Sequence, residues 1–171
     1  PSGSGVFTIS SPATNTDRTL TLPDEAGTVL TSASSITQNA GPAFSAYQSS
    51  AQTLSSNTAT KIQFQTKLFD TNNNFDNATN YRFTPTVAGY YQVNAAIQAQ
   101  VSFTGGTIYL WKNSGPFATG MAVNSGGGTF VLSHLVQMNG TTDYLEVYGN
   151  IGTGQALAVA TFFQASMVRA A

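Results

Sequence analysis

His134 is the one histidine of the chain and the one side chain suited to act as a base near neutral pH. Its segment, TFVLSHLVQM (Thr129–Met138), alternates, so period two sets His134 on the same side as Phe130, Leu132, Val136 and Met138. That company reads as a core or interface histidine, hydrogen-bonded to a neighbour, and not as a general base. There is no Gly-x-Ser-x-Gly elbow, no phosphate-cradling Gly-Lys-Ser and no His-Glu-x-x-His helix. The carboxylates are Asp17, Asp24, Glu25, Asp70, Asp76, Asp143 and Glu146, and those past residue 40 form no obvious pair for glycoside hydrolysis. DTNNNFD sets Asp70, Asn72, Asn74 and Asp76 at alternate positions, as a calcium loop does. However, Phe75 replaces the required glycine, and Tyr81 stands where the bidentate Glu belongs. The segment reads as a strand end and turn. The chain is therefore expected to be no enzyme, with no metal site and no cofactor.

Composition narrows the partners. Only 8% of the 171 residues are charged, against about 25% in an ordinary soluble domain. Net charge is −1, there is no cysteine and no apolar run approaches a membrane span, so disulfides, thiolate zinc and membrane insertion are not expected. The six Lys and Arg are scattered from Arg18 to Arg169 and make no basic patch, which argues against nucleic acid. Lys, Glu and Asp are depleted at the centres of buried interfaces, so a chain this poor in charge is expected to be an obligate oligomer. The competing reading is a monomer with a neutral, amide-rich surface. The chain opens at Pro1, without a methionine, and is read as a piece of a longer protein.

Two compositions meet near Gly41. Residues 1–40 are dominated by Ser, Thr, Ala and Gly, with three β-branched runs, VFTIS, RTLTLP and GTVLTS, set between the turn segments SPATNTD and PDEAG. They hold too few large apolar residues to offset their own ordering entropy, so copies of the same segment are expected to pack against them as a fibrous β stem. From residue 41 to 171 the pattern is all-β. The expected strands are AFSAYQ, KIQFQTKLFD, YYQVNAAIQAQV, GTIYLWKN, TFVLSHLVQM, DYLEVYG and ALAVATFFQASMV, with a short GMAVN between the fourth and fifth. NNNFDNATN, FTGG, NSGPF, NSGGG, NGTT and GNIGTGQ are the breaks, and SSAQTLSSNTAT is expected to be a polar surface excursion. Short strands at such spacing indicate a sandwich or jelly roll, with negligible helix.

The strand AGYYQVNAAIQAQV raises a further question. Tyr91, Val93, Ala95, Ile97, Ala99 and Val101 make a core side, while Tyr90, Gln92, Asn94, Ala96, Gln98 and Gln100 make a second side that is polar yet uncharged. PAFSAY, the central FDTNNNFDNATNYRFTPTVAGYYQVNAAI, IYLWKN, TFVLSHLVQMNGTTDYLEVYG and the closing FFQASMV together resemble the globular head shared by complement component one-q (C1q) and the tumour necrosis factor (TNF) superfamily. Phe75-Asp76, Phe83, Pro85, Gly89 and Tyr91 fall where that pattern has Phe-Asp, Phe, Pro, Gly and Tyr, and Gly140 with Asp143–Val147 resembles its Gly-Asp turn and strand. The likeness spans residues 41–168 and departs at the last strand, which lacks the usual Phe-x-Gly. It implies a ten-stranded-type jelly roll that forms a homotrimer. Tyr90, Gln92, Asn94, Gln98 and Gln100 would then face neighbouring copies, where amides need no buried counter-charge.

TISSPATNTDRTLTLPDEAGTVLTS resembles a segment that recurs in tail-fibre and other fibrous virion proteins of bacteriophages. Stem and head together imply a virion protein, a tail fibre or surface spike, that attaches to a host cell-surface receptor such as a glycan. Its remaining partners would be its own copies and other virion proteins met through the chain upstream of Pro1. The alternative is a purely structural virion spike or capsid decoration. In the resembled jelly roll, SFTGG, NSGGG and GNIGTGQ reach the apex away from the stem. That makes Ser102, Thr104, Asn124, Ser125, Asn150, Thr153 and Gln155 the expected receptor-binding residues.

Overall fold

Alternating apolar and polar residues become strands because successive side chains on an extended backbone point to opposite faces. The computed structural model describes residues 5, 8, 13–17, 19, 41–99, 105–123, 128–151, 155, 156 and 160–171. By packing, the chain divides into two compact units, Pro1–Ile36 and Thr37–Ala171. In the first, the Thr16 N–H donates to Thr14 Oγ1 at 3.0 Å, and the three expected stem strands lie almost wholly outside the described residues.

In the second unit the described strands are β1 (Ala43–Tyr47), β2 (Gln52–Thr53), β3 (Thr60–Lys61), β4 (Thr66–Asp70), β5 (Phe75–Asp76), β6 (Arg82–Phe83), β7 (Gly89–Gln98), β8 (Gly106–Lys112), β9 (Gly115–Val123), β10 (Thr129–Met138), β11 (Leu145–Ile151), β12 (Gln155–Ala156) and β13 (Phe162–Ala170). One sheet runs β10-β7-β13-β1-β4 and the other β5-β6-β11-β8-β9, with β3 added to β11 and a small β12-β2 pair. This is the expected all-β jelly-roll sandwich, and the described residues include no helix.

The core lies between the two sheets. Tyr91, Val93, Ala95 and Ile97 of β7 and Phe130, Leu132, Val136 and Met138 of β10 face Ile108, Leu110, Leu145, Val147 and Ile151 of the second sheet. At its centre the Phe44 ring stacks on Phe75 (4.6 Å) and Phe83 (4.5 Å) and meets Phe163 edge-on (4.9 Å). Aromatic pairs in these geometries add to the hydrophobic gain from burial. Burial pushes the Tyr91 phenol up to about 12, and its O–H donates to Val87 O at 2.7 Å.

Four sequence expectations change. SSAQTLSSNTAT is not merely a surface excursion, because it drives Leu54 into the core. The Gln52 side chain accepts the Gln63 N–H and donates to Lys61 O, which satisfies backbone groups of a segment that pairs little. Gly149 makes room for it: a Cβ there would lie 2.9–3.2 Å from the methyl ends of Ile97, Leu54 and Ile62. KIQFQTKLFD divides into β3 and β4, with Ile62 and Phe64 buried between them. NSGPF is no open break, because Asn113 and Ser114 (φ 53° and 68°) form a two-residue turn and Gly115 already opens β9. Finally, of the core and interface readings of His134, the core one falls, because the side chain is exposed in the single chain. Its strand β10 is the last of its sheet, and His134 meets the exposed Phe117 ring edge-on at 5.5 Å.

Candidate functional site

The register of the first sheet sorts its outward side chains into rows. Val131, Ala96, Phe162 and Tyr47 form one row, and Ser133, Asn94, Gln164, Ser45 and Phe69 the next. Leu135, Gln92, Ser166 and Ala43 follow, and then Gln137, Tyr90 and Arg169. Arg169, in the row nearest Gly89, is the only charge in these rows. Exposed large apolar side chains gather on this sheet, from Tyr90 at 37% exposure through Val131, Val168, Phe69 and Leu135 to Leu68 at 69%. Isolated exposed apolar residues are ordinary, but a set of them gathered on one sheet face with a single charge is not.

Tyr90, Gln92, Asn94 and Gln98 thus share one face. Gln92 is anchored there by donating to Ser133 Oγ at 2.9 Å, and Gln100 lies outside the described residues. Sequence reading found the amides but missed the apolar residues around them. The signal was present in TFVLSHLVQM, where Val131 and Leu135 make the side opposite the core apolar as well.

The registers also place the strand ends beside the three glycine-rich connections. Gln98 pairs with Thr129, and Gly106 pairs with both Ile151 and Val123, so the strand ends that flank those connections share one end of the sandwich. Ala43 pairs with Ser166 and Tyr47 with Phe162, so β1 starts toward the opposite end. Asn150 is half-buried on β11 opposite Thr107, and Gln155 is paired through β12 with Thr53. Ser102, Thr104, Asn124, Ser125 and Thr153 lie outside the described residues.

DTNNNFD closes the edge where β4 and β5 meet. Asp70 accepts the N–H groups of Asn74 and Phe75 and pairs with Lys67 at 3.1 Å. The Asp76 carboxylate accepts the N–H groups of Ala78, Thr79 and Asn80 and the Asn80 side-chain amide. These carboxylates shape turns, as the sequence reading has it. The Thr79 and Ala78 N–H groups, more than the opposing burial, hold the Asp76 carboxyl well below the usual carboxylate range. Its contribution to stability is therefore present above the ordinary value of 3.8 and is lost as pH falls from there through the depressed folded value. Asp76→Asn is expected to lower the melting temperature at neutral pH, with a deficit that narrows as pH falls below 3.8. Thermal unfolding across pH checks this, and a pH-independent deficit would contradict it.

The remaining carboxylates of the described head are also engaged. The buried Glu146 pairs with Lys61 at 2.6 Å, and Asp143 pairs with Lys112 at 2.9 Å. Burial pushes Asp143 up but is outweighed by hydrogen bonds from Asn113, Lys112 and the Asn139 N–H, so its carboxyl sits below the ordinary value. Asn139 Oδ1 gathers the N–H groups of Thr141, Thr142 and Asp143 around Gly140, whose φ of 72° favours glycine. Among the described residues no three His, Cys, Asp or Glu side chains gather as a metal would require.

No family model matches the sequence, and neither does any curated protein. Solved structures do match. The globular domain of zebrafish complement 1qA protein is 16% identical with a TM-score of 0.59, over 76% of this chain and 99% of that one. Eiger TNF from S. frugiperda is 10% identical with a TM-score of 0.61, over 77% and 93%. Murine APRIL is 10% identical with a TM-score of 0.54, over 75% and 99%. At such identities the likeness is one of fold, and the fold is the jelly roll of the complement C1q and tumour necrosis factor heads.

Proposed function

We propose that the chain is the homotrimeric head of a bacteriophage fibre, attaching the virion to a host cell surface without catalysis. The observation that carries the reading is the outward face of the β10-β7-β13-β1-β4 sheet, whose rows hold Arg169 at one end as their single charge and where exposed Leu135, Val131 and Leu68 lie among amides. A second and third copy of the chain supply the cover that such a face needs. Amides between the apolar side chains then pair across copies with no buried charge to compensate. The fold supports the reading, since it is shared with complement and tumour necrosis factor heads. The phage assignment rests on the resemblance of residues 8–32 to fibrous virion proteins.

Receptor contact is assigned to the end of the sandwich that carries the glycine-rich connections, through Ser102, Thr104, Asn124, Ser125, Asn150, Thr153 and Gln155. Three copies of a weak neutral site gain avidity without a deep pocket, and neutral hydrogen bonding depends little on salt. Labelled protein is expected to bind intact cells of a susceptible strain saturably. The double substitution Asn124→Ala and Asn150→Ala is expected to abolish that binding and leave assembly unchanged. Full binding by the double variant would overturn the apex assignment. Absence of saturable binding on every strain of a broad bacterial panel would favour the structural spike or decoration reading.

A further inference from the structure

Arg82 faces Asp76 across the β5–β6 pair, the arrangement in which opposite charges on adjacent strands ordinarily join. Here they do not, because the Asp76 carboxylate is taken by donors of its own loop. Among the described residues Arg82 pairs with no carboxylate, whereas Lys61, Lys67 and Lys112 each have one. The Arg82 guanidinium lies 4.4 Å from the centre of the Tyr144 ring. Tyr144 is held in turn, its N–H donating to Asn113 Oδ1 at 2.9 Å and its hydroxyl bonded to Ser114 Oγ. The chain enters β6 through Tyr81 at φ 51°, a conformation that costs an aromatic residue energy and is kept only where its surroundings enforce it.

Arg82 lines an open cleft of about 480 Å³ together with Lys67, Asn73, Asp76, Asn80 and Thr84, the Asp76 carboxylate being held by its own loop. Lys67 is already spent on Asp70, Asn73 Oδ1 and Phe75 O. One cation is left free, in a planar fork whose orientation is set before any ligand arrives, which lowers the ordering cost of binding. We infer that this cleft binds a sugar that carries a carboxylate, its acid group on Arg82 and its hydroxyls on the surrounding amides and Thr84. A sugar hydroxyl both donates and accepts, which matches the Asn73 amide N–H and the Asn80 amide oxygen that remain once Lys67 bonds Asn73 Oδ1 and Asn80 Nδ2 bonds Asp76. A phosphate carries more negative charge than Arg82 by itself offsets, and the Lys67 ammonium beside it is already held by Asp70.

The cleft lies along the edge where β4 and β5 end their sheets, and the β9–β10 edge is on the other side of the sandwich. Its lining includes none of the strand ends that flank the glycine-rich connections, and the inference does not depend on the attachment reading. Titration calorimetry of the full chain with 3′-sialyllactose, trigalacturonate and lactose tests it. At least one acidic probe is expected to bind at millimolar concentration or tighter, more weakly in high salt, with lactose at least tenfold weaker. Arg82→Gln is expected to reduce acid-sugar affinity to the lactose level, and Arg82→Lys, which keeps the charge but loses the fork, to lie between. Thr84→Val keeps the side-chain shape and is expected to weaken binding several-fold, so it carries the test should Arg82→Gln fold poorly. The Asn124 and Asn150 double variant is expected to bind the acidic probe unchanged. Equal affinity for lactose, no binding of either acidic probe, or full affinity in Arg82→Gln or Thr84→Val would overturn the inference.

Discussion

Asn94→Glu is expected to dissociate the proposed trimer into folded monomers. Asn94 sits mid-face in the row Ser133, Asn94, Gln164, Ser45, with no cation in that row or the two beside it. In an assembly closed by this face, three new carboxylates would lose water and meet no counter-charge. Leaving a buried charge without a partner costs about 3–5 kcal/mol. Leu135→Glu, one row away and 53% exposed in the single chain, is expected to have the same effect by removing apolar contact as well as adding charge. Within the single chain both positions are open enough for the carboxylate to stay hydrated, so circular dichroism should be unchanged. Light scattering over a wide concentration range reads the result. Unaltered assembly in both variants would show that water, and not a copy of the chain, covers this face.

The second large effect is internal. Phe44→Ala is expected to cost about 3–5 kcal/mol, the usual range for emptying a fully buried aromatic site. Phe44 has no exposure and touches Phe75, Phe83 and Phe163, which belong to β5 and β6 of one sheet and β13 of the other. Its loss leaves a void at the seam of the two sheets that rigid strands cannot collapse to fill. Phe117, 47% exposed on β9, is the control, and Phe117→Ala is expected to stay within about 0.5 kcal/mol. Denaturant unfolding at one matched protein concentration compares them, since assembly links stability to concentration. A cost under about 1 kcal/mol for Phe44→Ala would mean that the aromatic cluster is not the keystone of the sandwich.

What the residues determined alone was local. In β7 and β10, strict alternation settled which side chains turn inward, because period two belongs to the extended backbone wherever the strand is placed. The turn role of Asp70 and Asp76 was legible for the same reason, since both bond N–H groups within five residues of themselves. The tertiary structure decided everything that depends on which strands become neighbours. Alternation placed His134 with the core residues, yet β10 ends its sheet and leaves that side chain open beside Phe117. Leu54 sits in a stretch of Ser and Thr that reads as surface, and is buried because Gly149, far along the chain, leaves a space of its size. Arg82 reads as one more scattered cation. Only the folded β5–β6 pair shows that its natural partner is already taken and that Tyr144 holds it in place. Register and edge position arise from pairings between residues far apart in the chain, and no short-range pattern encodes them.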